Sequence, residues 1–324
     1  MFVTPALSFD SIATSLGDRF QMDVPLARYT TAQIGGPADG LLIVHSADDL
    51  ARMTAFLWEK GIPFFVFGAG SNILVSDAGV RGVVVLNRAK KVFFDEEGNP
   101  PVVRAESGAR ISVIARKAAQ RGLAGLEWAA GIPGTLGGAV VGNAGAHGGD
   151  IAGNFVVAEI LHLPIKMKEN WSGEADLPTR EKYSKEKMAF AYRSSTIKRS
   201  RSNIPETVIL TTTLSLERST PQIVNARIKD FSSQRRSAQP PGASMGSIFK
   251  NPPGDYAGRL IEAAGLKGLV VGDAEVSALH ANFIINRGNA TALDIYHLIY
   301  EIKKTVLIKT GIELELEIEL VGEW

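Results

Sequence analysis

Short apolar runs and one amphipathic segment alternate in the N-terminal part of the chain. The run Leu41–Val44 predicts a strand, and Ser46 is suited to cap the helix that follows. Leu50, Met53 and Leu57 recur at the spacing of one helix face. The sequence IPFFVFG then predicts a buried strand, so that the chain opens with a βαβ-like unit.

The middle of the chain predicts strands, one helix and one charged loop. RGVVVL at 81–86 predicts a strand, and KKVFF and PVVRAES flank the turn sequence DEEGN as a hairpin. A helix is expected from Ile111 to Arg121, with Gly122 ending it, and a strand follows around Asn154–Leu163. Residues 166–190 are highly charged without periodicity and predict a solvated loop, after which VILTTTLSL predicts a strand.

The C-terminal part predicts three helices, over Pro221–Ser237, Tyr256–Ala264 and Thr291–Thr310, and a strand at NFIIN. The segment IELELEIEL places apolar residues and glutamates on opposite faces and predicts an amphipathic strand. A solvated face is the ordinary interpretation of these glutamates. The alternation of helices and strands along the chain indicates a mixed α and β protein.

Composition narrows the class of protein. A chain of 324 residues predicts two or three domains, and 45% hydrophobic with 21% charged residues is usual for a globular protein. The net charge of +1 gives no indication of nucleic acid or membrane partners. Without cysteine, disulfides and thiolate sites are excluded, and the five histidines show no metal-ligand spacing. No signal peptide or membrane span is recognised, so we expect a cytoplasmic protein without a metal.

Two glycine-bearing segments are candidates for ligand binding. Gly131–Asp150 reads GIPGTLGGAVVGNAGAHGGD, and Phe67–Asn72 reads FGAGSN after a predicted strand. Backbone amides in such loops can converge on an anion, and two loops suit a ligand with a pyrophosphate. Ile73 stands where a Rossmann fingerprint needs its third glycine, and no P-loop motif occurs. Dinucleotide or flavin binding and purely structural glycines both stay open.

The segment Gly242–Pro253, GASMGSIFKNPP, admits two kinds of chemistry. Ser244 lies in a G-x-S-x-G motif, but the polar, proline-bearing sequence before it does not suit the strand that a hydrolase nucleophile requires. Ser247, Lys250 and Asn251 instead form a cluster of donors suited to an oxyanion or a phosphate. A polar surface loop is the alternative interpretation.

The sequence AYRSS places Arg193 directly after Tyr192. A solvent-facing cation on an aromatic ring is the common arrangement for such a pair. The functional alternative is a guanidinium that binds a carboxylate through two hydrogen bonds.

Six ordered segments resemble one known family. They follow the order seen in UDP-N-acetylenolpyruvoylglucosamine reductases, from about residue 25 to the end of the chain. In order, they read TTAQIGGPAD, FGAGSNILVSDAGVRGVVV, GIPGTLGGAVVGNAGAHGGD, AYRSS, GSIFKNP and GIELELEIELVGE. The resemblance implies an α+β fold, with a two-subdomain FAD-binding module of the vanillyl-alcohol-oxidase type and a C-terminal α+β substrate domain. It places FAD-binding subdomains at 1–88 and 89–205 and the substrate domain at 206–324. The compact third domain resembles the family's shorter subtype.

The resemblance also implies a flavoenzyme of peptidoglycan precursor synthesis. In this family NADPH reduces FAD, and the enolpyruvyl ether of UDP-N-acetylglucosamine then receives a hydride at C3 and a proton at C2. Arg193 and Glu317 match the family's catalytic arginine and glutamate, which stabilise the enolate-like charge. Ser247 matches the proton donor. The rival interpretations are another FAD oxidoreductase of this fold, such as an alcohol or sugar oxidase, and a non-enzymatic nucleotide-binding protein.

The binding residues implied by the resemblance fall into two sets. The FAD cradle comprises Phe67, Gly68, Ala69, Gly70, Ser71, Asn72, Ile132, Pro133, Gly134, Thr135, Gly137, Gly138, Val141, Asn143, Gly145 and His147. The substrate contacts comprise Tyr192, Lys250, Asn251, Arg235 and Gln239. His147 stands where the family usually has a tyrosine. The expected partner is the small-molecule substrate alone, and the expected state is a monomer.

Overall fold

The structure, a computed structural model, describes residues 9–163, 178–200 and 205–324. Two compact units divide the chain. The first comprises the described residues within Met1–Met22, Asp39–Gly68 and Gly82–Ser232. The second comprises Asp23–Ala38, Ala69–Arg81 and Ser233–Trp324. The domain boundaries at 88 and 205 stay predictions.

The strands are short and are numbered in chain order. They are β1 Phe20–Pro25, β2 Pro37–Val44, β3 Phe64–Phe67, β4 Ile73–Val75, β5 Val80–Asn87, β6 Val92–Asp95, β7 Val102–Glu106, β8 Leu123–Ala124, β9 Gly145–Ala146, β10 Gly149–Asp150, β11 Phe155–His162, β12 Thr179–Ser184, β13 Thr207–Ser215, β14 Glu217–Arg218, β15 Val270–Val271, β16 Ala274–Val276, β17 Ile284–Asn286 and β18 Glu319–Val321.

The helices are numbered in the same way. They are α1 Phe9–Leu16, α2 Ala47–Glu59, α3 Ile111–Gln120, α4 Leu136–Val141, α5 Ile151–Asn154, α6 Lys185–Met188, α7 Thr196–Arg199, α8 Pro221–Ala238, α9 Ala257–Ala263 and α10 Ala292–Thr310. Short 3-10 turns lie at Gly17–Arg19, Leu26–Tyr29 and Glu127–Ala129. Within the described ranges, no helix is long and apolar enough to cross a membrane.

Two sheets organise the first unit. One has five antiparallel strands in the order β12-β11-β13-β7-β6, and it contains the predicted hairpin, with Val92 paired to Ala105. The other has the order β1-β2-β5-β3, and β3 runs parallel to β5. Helix α2 begins as expected, because the Ser46 side chain accepts a hydrogen bond from the Asp49 amide. Its apolar face, including Leu50 and Leu57, is buried in the core next to the second sheet.

Helix α10 forms the centre of the second unit. Thr291 and Asp294 form a capping box at its start, and Gly311, with φ of 71°, ends it as predicted. Its buried face, which includes Ile302, packs with α9 and the antiparallel sheet β15-β16-β17 in one apolar core. The last strand, β18, lies parallel to β4, so the chain end is tied to the segment that follows Asn72.

The prediction of a charged loop at 166–190 is wrong for the second half of that range. Residues 164–177 lie outside the described part, whereas β12 and α6 occupy Thr179–Ser184 and Lys185–Met188. Strand β12 is an edge strand in which only Tyr183 is buried. An edge strand needs backbone partners on one side only and tolerates charged side chains. Its sequence therefore shows no apolar alternation that could have identified it.

The predicted strand IELELEIEL is wrong in its extent. Burial alternates as expected, since Leu314 and Ile318 are buried while Glu313 and Glu315 are exposed. Regular pairing is limited to β18, because the segment changes its partner near Glu317. Leu316 pairs with Phe249, whereas β18 pairs with β4. The short strands β15 and β16 were also missed, since two or three residues carry no periodic signal.

Candidate active site

The glycine-rich stretch of the first unit is fixed at the start of α4. The amide of Leu136 donates to the carbonyl oxygen of Ala109 at 2.8 Å, and that of Gly137 donates to the oxygen of Ser107 at 2.8 Å. Both acceptors precede helix α3, directly after strand β7. The stretch is therefore attached to the five-stranded sheet and its adjoining helix rather than forming a free loop.

Several glycines of this region are required by the fold itself. A Cβ at Gly68 would overlap the side chain of Thr135, and one at Gly149 would overlap the Trp128 ring. A Cβ at Gly145 would lie 2.7 Å from the Cβ of Asp150. These contacts leave no room for a side chain, so the structural interpretation of the glycines holds at these positions.

Gly138 has no such explanation. It is exposed on α4, and the nearest heavy atom to a Cβ there would be the Thr135 hydroxyl oxygen at 3.7 Å. Among the residues that the structure describes, none accepts a hydrogen bond from its amide. A glycine in a helix costs about 1 kcal/mol relative to alanine. The bare amide and the absent side chain fit a cofactor that lies against this face of α4.

The AYRSS segment is joined to the same stretch, although about fifty residues separate them in sequence. Ala191 and Ser194 exchange two backbone hydrogen bonds of 3.0 Å, which makes Tyr192 and Arg193 the tip of a tight turn. The Ser195 hydroxyl donates to the carbonyl oxygen of Val141 at 2.7 Å. The turn is thereby anchored to the end of α4.

Arg193 adds a second connection from the tip of this turn. Its Nη2 donates to the carbonyl oxygen of Gly145 at 3.0 Å, and its guanidinium lies 5.2 Å from the centre of the Tyr192 ring. The backbone of Arg193 has φ of 54°, in the left-handed region that non-glycine residues rarely adopt. Such strain persists only where surrounding contacts impose it, and it is common at functional sites.

Two predicted cofactor residues have protein partners of their own. Asn143 is buried, and its amide donates to Asp150 and to the Ala191 carbonyl oxygen while accepting from the Ala152 amide. The ring of His147 stacks on Phe231, with 4.3 Å between centroids and an angle of 7°. Nothing in the sequence indicated Phe231, which lies on α8, more than eighty residues away.

In the second unit, Ser247 and Glu317 lie on paired segments. Ser247 pairs with Phe283 on one side, and Phe249 pairs with Leu316 on the other. The Glu317 amide donates to the carbonyl oxygen of Ile248 at 2.8 Å. Two of the three expected catalytic residues are thus brought to adjoining backbone positions by β pairing.

A buried asparagine holds the Ser247 segment in place. The side chain of Asn282 accepts from the Phe249 amide at 2.9 Å and donates to the Phe249 carbonyl oxygen at 2.8 Å. The backbone carbonyl oxygen of Asn282 accepts from the Ile248 amide at 2.9 Å. Only 3% of Asn282 is exposed, so these bonds are shielded from water. The sequence offered no motif that would have identified Asn282.

The predicted donor cluster beyond Ser247 is partly engaged. Lys250 Nζ lies 2.9 Å from Glu315 Oε2, and this hydrogen-bonded ammonium lowers the pKa of the Glu315 carboxyl below its ordinary value. The Asn251 side-chain oxygen accepts from the Ala257 amide at 3.1 Å at the start of α9. Lys250 is therefore a cation whose present partner is an exposed, exchangeable carboxylate.

Arg235 and Gln239 lie one helical turn apart at the end of α8, where the Gln239 amide donates to the Arg235 carbonyl oxygen at 2.9 Å. Burial lowers the pKa of the Arg235 guanidinium. Across residues 9–163, 178–200 and 205–324, no carboxylate forms a salt bridge with Arg235. A half-buried cation without a carboxylate is suited to an anionic ligand.

The FGAGSN segment divides between the units after Gly68. In the second unit, the Gly70 carbonyl oxygen accepts from the Thr31 amide at 3.0 Å, and Asn72 Nδ2 donates to the Glu317 carbonyl oxygen at 3.0 Å. The end of the predicted cofactor loop is therefore bonded to the backbone of the predicted catalytic glutamate.

Comparison with known proteins agrees with this geometry. A family model described as an FAD binding domain matches residues 38–160. The model for the C-terminal domain of UDP-N-acetylenolpyruvoylglucosamine reductase matches residues 237–321. The first spans the open face at Gly138, and the second spans the paired segments of Ser247 and Glu317.

Full-length relatives extend the match. UDP-N-acetylenolpyruvoylglucosamine reductase from Chloroflexus aggregans is 40% identical, covering 92% of this chain and 96% of that protein. Its counterpart from Caldanaerobacter subterraneus subsp. tengcongensis is 42% identical, covering 94% of each. The crystal structure of UDP-N-acetylenolpyruvylglucosamine reductase from Thermus caldophilus aligns with a TM-score of 0.74 at 33% identity, covering 92% of this chain and 98% of that one.

The fold and the matched domains define a flavin-dependent oxidoreductase. Within that class, the chain belongs to the UDP-N-acetylenolpyruvoylglucosamine reductase family, the reductases of peptidoglycan precursor synthesis. The family resemblance, the α+β fold with its FAD-binding module and C-terminal domain, and FAD as cofactor are confirmed.

Proposed function

We propose that the chain reduces UDP-N-acetylglucosamine enolpyruvate to UDP-N-acetylmuramate with NADPH as the reductant. The observation that carries this proposal is the pairing that brings Ser247 next to Glu317, because the reaction requires a proton donor beside a charged group. The names of the relatives support the substrate class. Action as a monomer in the cytoplasm stays a prediction.

We assign the cofactor to the two glycine-bearing loops. The face of α4 around Gly138 offers a free amide and no side chain, as close approach of a flavin or a pyrophosphate requires. When bound there, FAD supplies the hydride chemistry that protein side chains lack. The contribution of this chain is to hold the cofactor, orient the substrate and move one proton.

Ser247 is the proposed proton donor to C2 of the enolpyruvyl group. Hydride addition at C3 converts the double bond to a single bond and leaves the electron pair at C2 and the adjoining carboxylate. A serine hydroxyl is a weak acid, but this carbanion-like centre is a strong base, so the transfer is favourable. The Asn282 bonds to Phe249 hold the backbone segment that carries Ser247 in one place.

Stabilisation of the enolate-like charge that develops on the substrate is assigned to Arg193 and Glu317. A guanidinium presents five N–H donors in a planar fork that matches a carboxylate, and the bond from Arg193 to Gly145 fixes the position of this fork. Glu317 is half-buried, unlike the exposed Glu313 and Glu315 of the same segment. Glu319 is half-buried as well, but of these two only Glu317 has its amide bonded to the residue after Ser247, and this bond supports Glu317 as the functional member of the glutamate series.

The UDP diphosphate is assigned to the cations of the second unit. Arg235 is half-buried without a carboxylate partner in the described chain, and Lys250 has only the exposed Glu315 to exchange for a phosphate. Asn251 and Gln239 add amide donors near these charges in sequence. Tyr192, exposed at the tip of its turn, is assigned to the sugar or the enolpyruvyl group.

An anaerobic spectroscopic titration tests the proposal. We expect the purified protein to show an oxidised flavin spectrum that NADPH bleaches and that only the enolpyruvyl substrate restores. A flavin that bleaches but ignores this substrate would point to another oxidoreductase of the same fold. Failure of NADPH to bleach a flavin that dithionite does bleach would show that the reductant is different.

A further inference from the structure

Glu317 lies where one β pairing ends and another begins. Before it, Leu316 forms an isolated bridge with Phe249, and after it β18 pairs in parallel with β4, starting at Glu319 and Ile73. Residues 317 and 318 belong to neither strand. A backbone at such a gap lacks a ladder partner for its carbonyl group, and it is free to change direction unless another group holds it.

The side chain of Asn72 fills this gap. The Asn72 carbonyl oxygen accepts from the Glu319 amide at 3.0 Å, which begins the ladder between β18 and β4. Asn72 Nδ2 then donates to the Glu317 carbonyl oxygen at 3.0 Å, so one residue bonds two positions of the opposite segment. Because the acceptor is a carbonyl oxygen, only the amino side of the amide can make this bond.

Glu317 is consequently held at both of its backbone groups. Its amide donates to Ile248, the residue after Ser247, and its carbonyl oxygen accepts from Asn72. The first bond sets its distance from the Ser247 segment. The second restricts the rotation of the peptide that follows Glu317, so that the Cα–Cβ bond of Glu317 starts from a backbone held on both sides.

We propose that Asn72 is a positioning residue for Glu317 and that its side chain acts on the reaction through this backbone bond rather than by binding FAD. The inference rests on the proposed role of Glu317. It also assigns a second role to the FGAGSN loop, in which the preceding residues serve the cofactor and the last one fixes the glutamate. A displacement of about 1 Å at a catalytic group can reduce a rate about 100-fold.

Stopped-flow measurement of the two half-reactions tests the proposal with Asn72→Ala. We expect flavin reduction by NADPH to keep its rate and reoxidation by the enolpyruvyl substrate to slow by about tenfold to 100-fold, with little change in KM. Fluorescence titration of the apoprotein should give an unchanged dissociation constant for FAD. Asn225→Ala is the matched control, because Asn225 Nδ2 also donates to a backbone oxygen, that of Pro221, on an exposed surface.

A double variant separates positioning from a general structural role. If Asn72 acts through Glu317, Asn72→Ala combined with Glu317→Gln should be no slower in reoxidation than Glu317→Gln alone. Additive losses, an unchanged reoxidation rate in Asn72→Ala, or weakened FAD binding would each overturn the proposal. Asn72→Ser, whose hydroxyl is too short to reach the acceptor, serves if the alanine variant fails to fold.

The same series distinguishes this inference from the proposed function. A Glu317→Gln variant with normal reoxidation would remove the catalytic role of Glu317 and with it the basis of the inference. A slow Glu317→Gln variant together with a normal Asn72→Ala variant would leave the proposed function in place and overturn the role of Asn72.

Discussion

The guanidinium of Arg193 donates a hydrogen bond of 3.0 Å to the carbonyl oxygen of Gly145, forty-eight residues earlier in the chain. This bond connects the tip of the AYRSS turn to the glycine-rich stretch, which lies wholly within the residues matched by the FAD-binding family model. Its donor is a residue with a left-handed backbone. The relationship explains how a charged side chain predicted to bind substrate is fixed to a segment predicted to bind cofactor.

The left-handed backbone of Arg193 gives the first prediction. We expect Arg193→Gly to be more stable to urea than Arg193→Ala by about 1 kcal/mol, because only glycine adopts φ of 54° without steric cost. Both variants lose the bond to Gly145, so the comparison isolates the backbone term. Reoxidation of the flavin by substrate should be lost equally in both. Equal stabilities would mean that the turn relaxes when the arginine is removed.

The open face at Gly138 gives the second prediction. Gly138→Ala should raise the free energy of unfolding of the apoprotein by up to about 1 kcal/mol, because alanine favours a helix and meets no close atom there. The same change should weaken FAD binding about tenfold or more, since the methyl group occupies the approach of the cofactor. Fluorescence titration and urea unfolding measure the two effects.

Gly153→Ala is the control for this pair of effects. Gly153 is also an exposed helical glycine. A Cβ at this position would lie 3.5 Å from its nearest atom, Asp150 Oδ1. We expect FAD affinity to stay unchanged in this variant. Equal FAD affinity in Gly138→Ala and the parent protein would show that the cofactor does not contact this face of α4.

The proton donor gives the third prediction. Ser247→Ala should leave the rate of flavin reduction by NADPH intact and slow reoxidation by the enolpyruvyl substrate by roughly 100-fold to 10,000-fold, the usual contribution of a general acid. Ser244→Ala, three residues earlier, should change neither rate and serves as the matched control. An equal loss in both half-reactions of Ser247→Ala would assign Ser247 a structural role.

The half-buried His280 gives the fourth prediction. Burial lowers the pKa of its imidazole, whose Nδ1 accepts a hydrogen bond from the Asn282 amide at 3.3 Å and therefore carries no proton. The unfolded chain takes up a proton near the ordinary histidine pKa of about 6.5, before the folded chain does. This contribution to stability is thus complete above that pH and is lost as pH falls toward the lowered pKa.

Substitution of His280 makes that dependence measurable. His280→Gln keeps an acceptor near the Asn282 amide but removes the titrating ring. Urea unfolding between pH 7 and pH 5 should therefore show a smaller loss of stability in His280→Gln than in the parent protein. Parallel loss in both proteins would assign the acid sensitivity to carboxylates elsewhere.

Local sequence signals determined the long helices and several strands. Ser46 predicted the start of α2 and Gly311 the end of α10, because capping depends on the side chain or the φ of one residue and its immediate neighbours. The hairpin of β6 and β7 followed from its turn sequence for the same reason. The six ordered motifs were sufficient to identify the family.

Tertiary structure alone decided which residues of those motifs face a ligand and which serve the fold. Gly149 and Gly138 look alike in sequence, yet the first is required by the Trp128 ring and the second lies open. Ser247 and Glu317 are neighbours only because distant segments pair. Asn72 donates a hydrogen bond to the Glu317 carbonyl oxygen in the gap between two such pairings. Contacts of this kind depend on the packing of residues far apart in the chain, which no local pattern records.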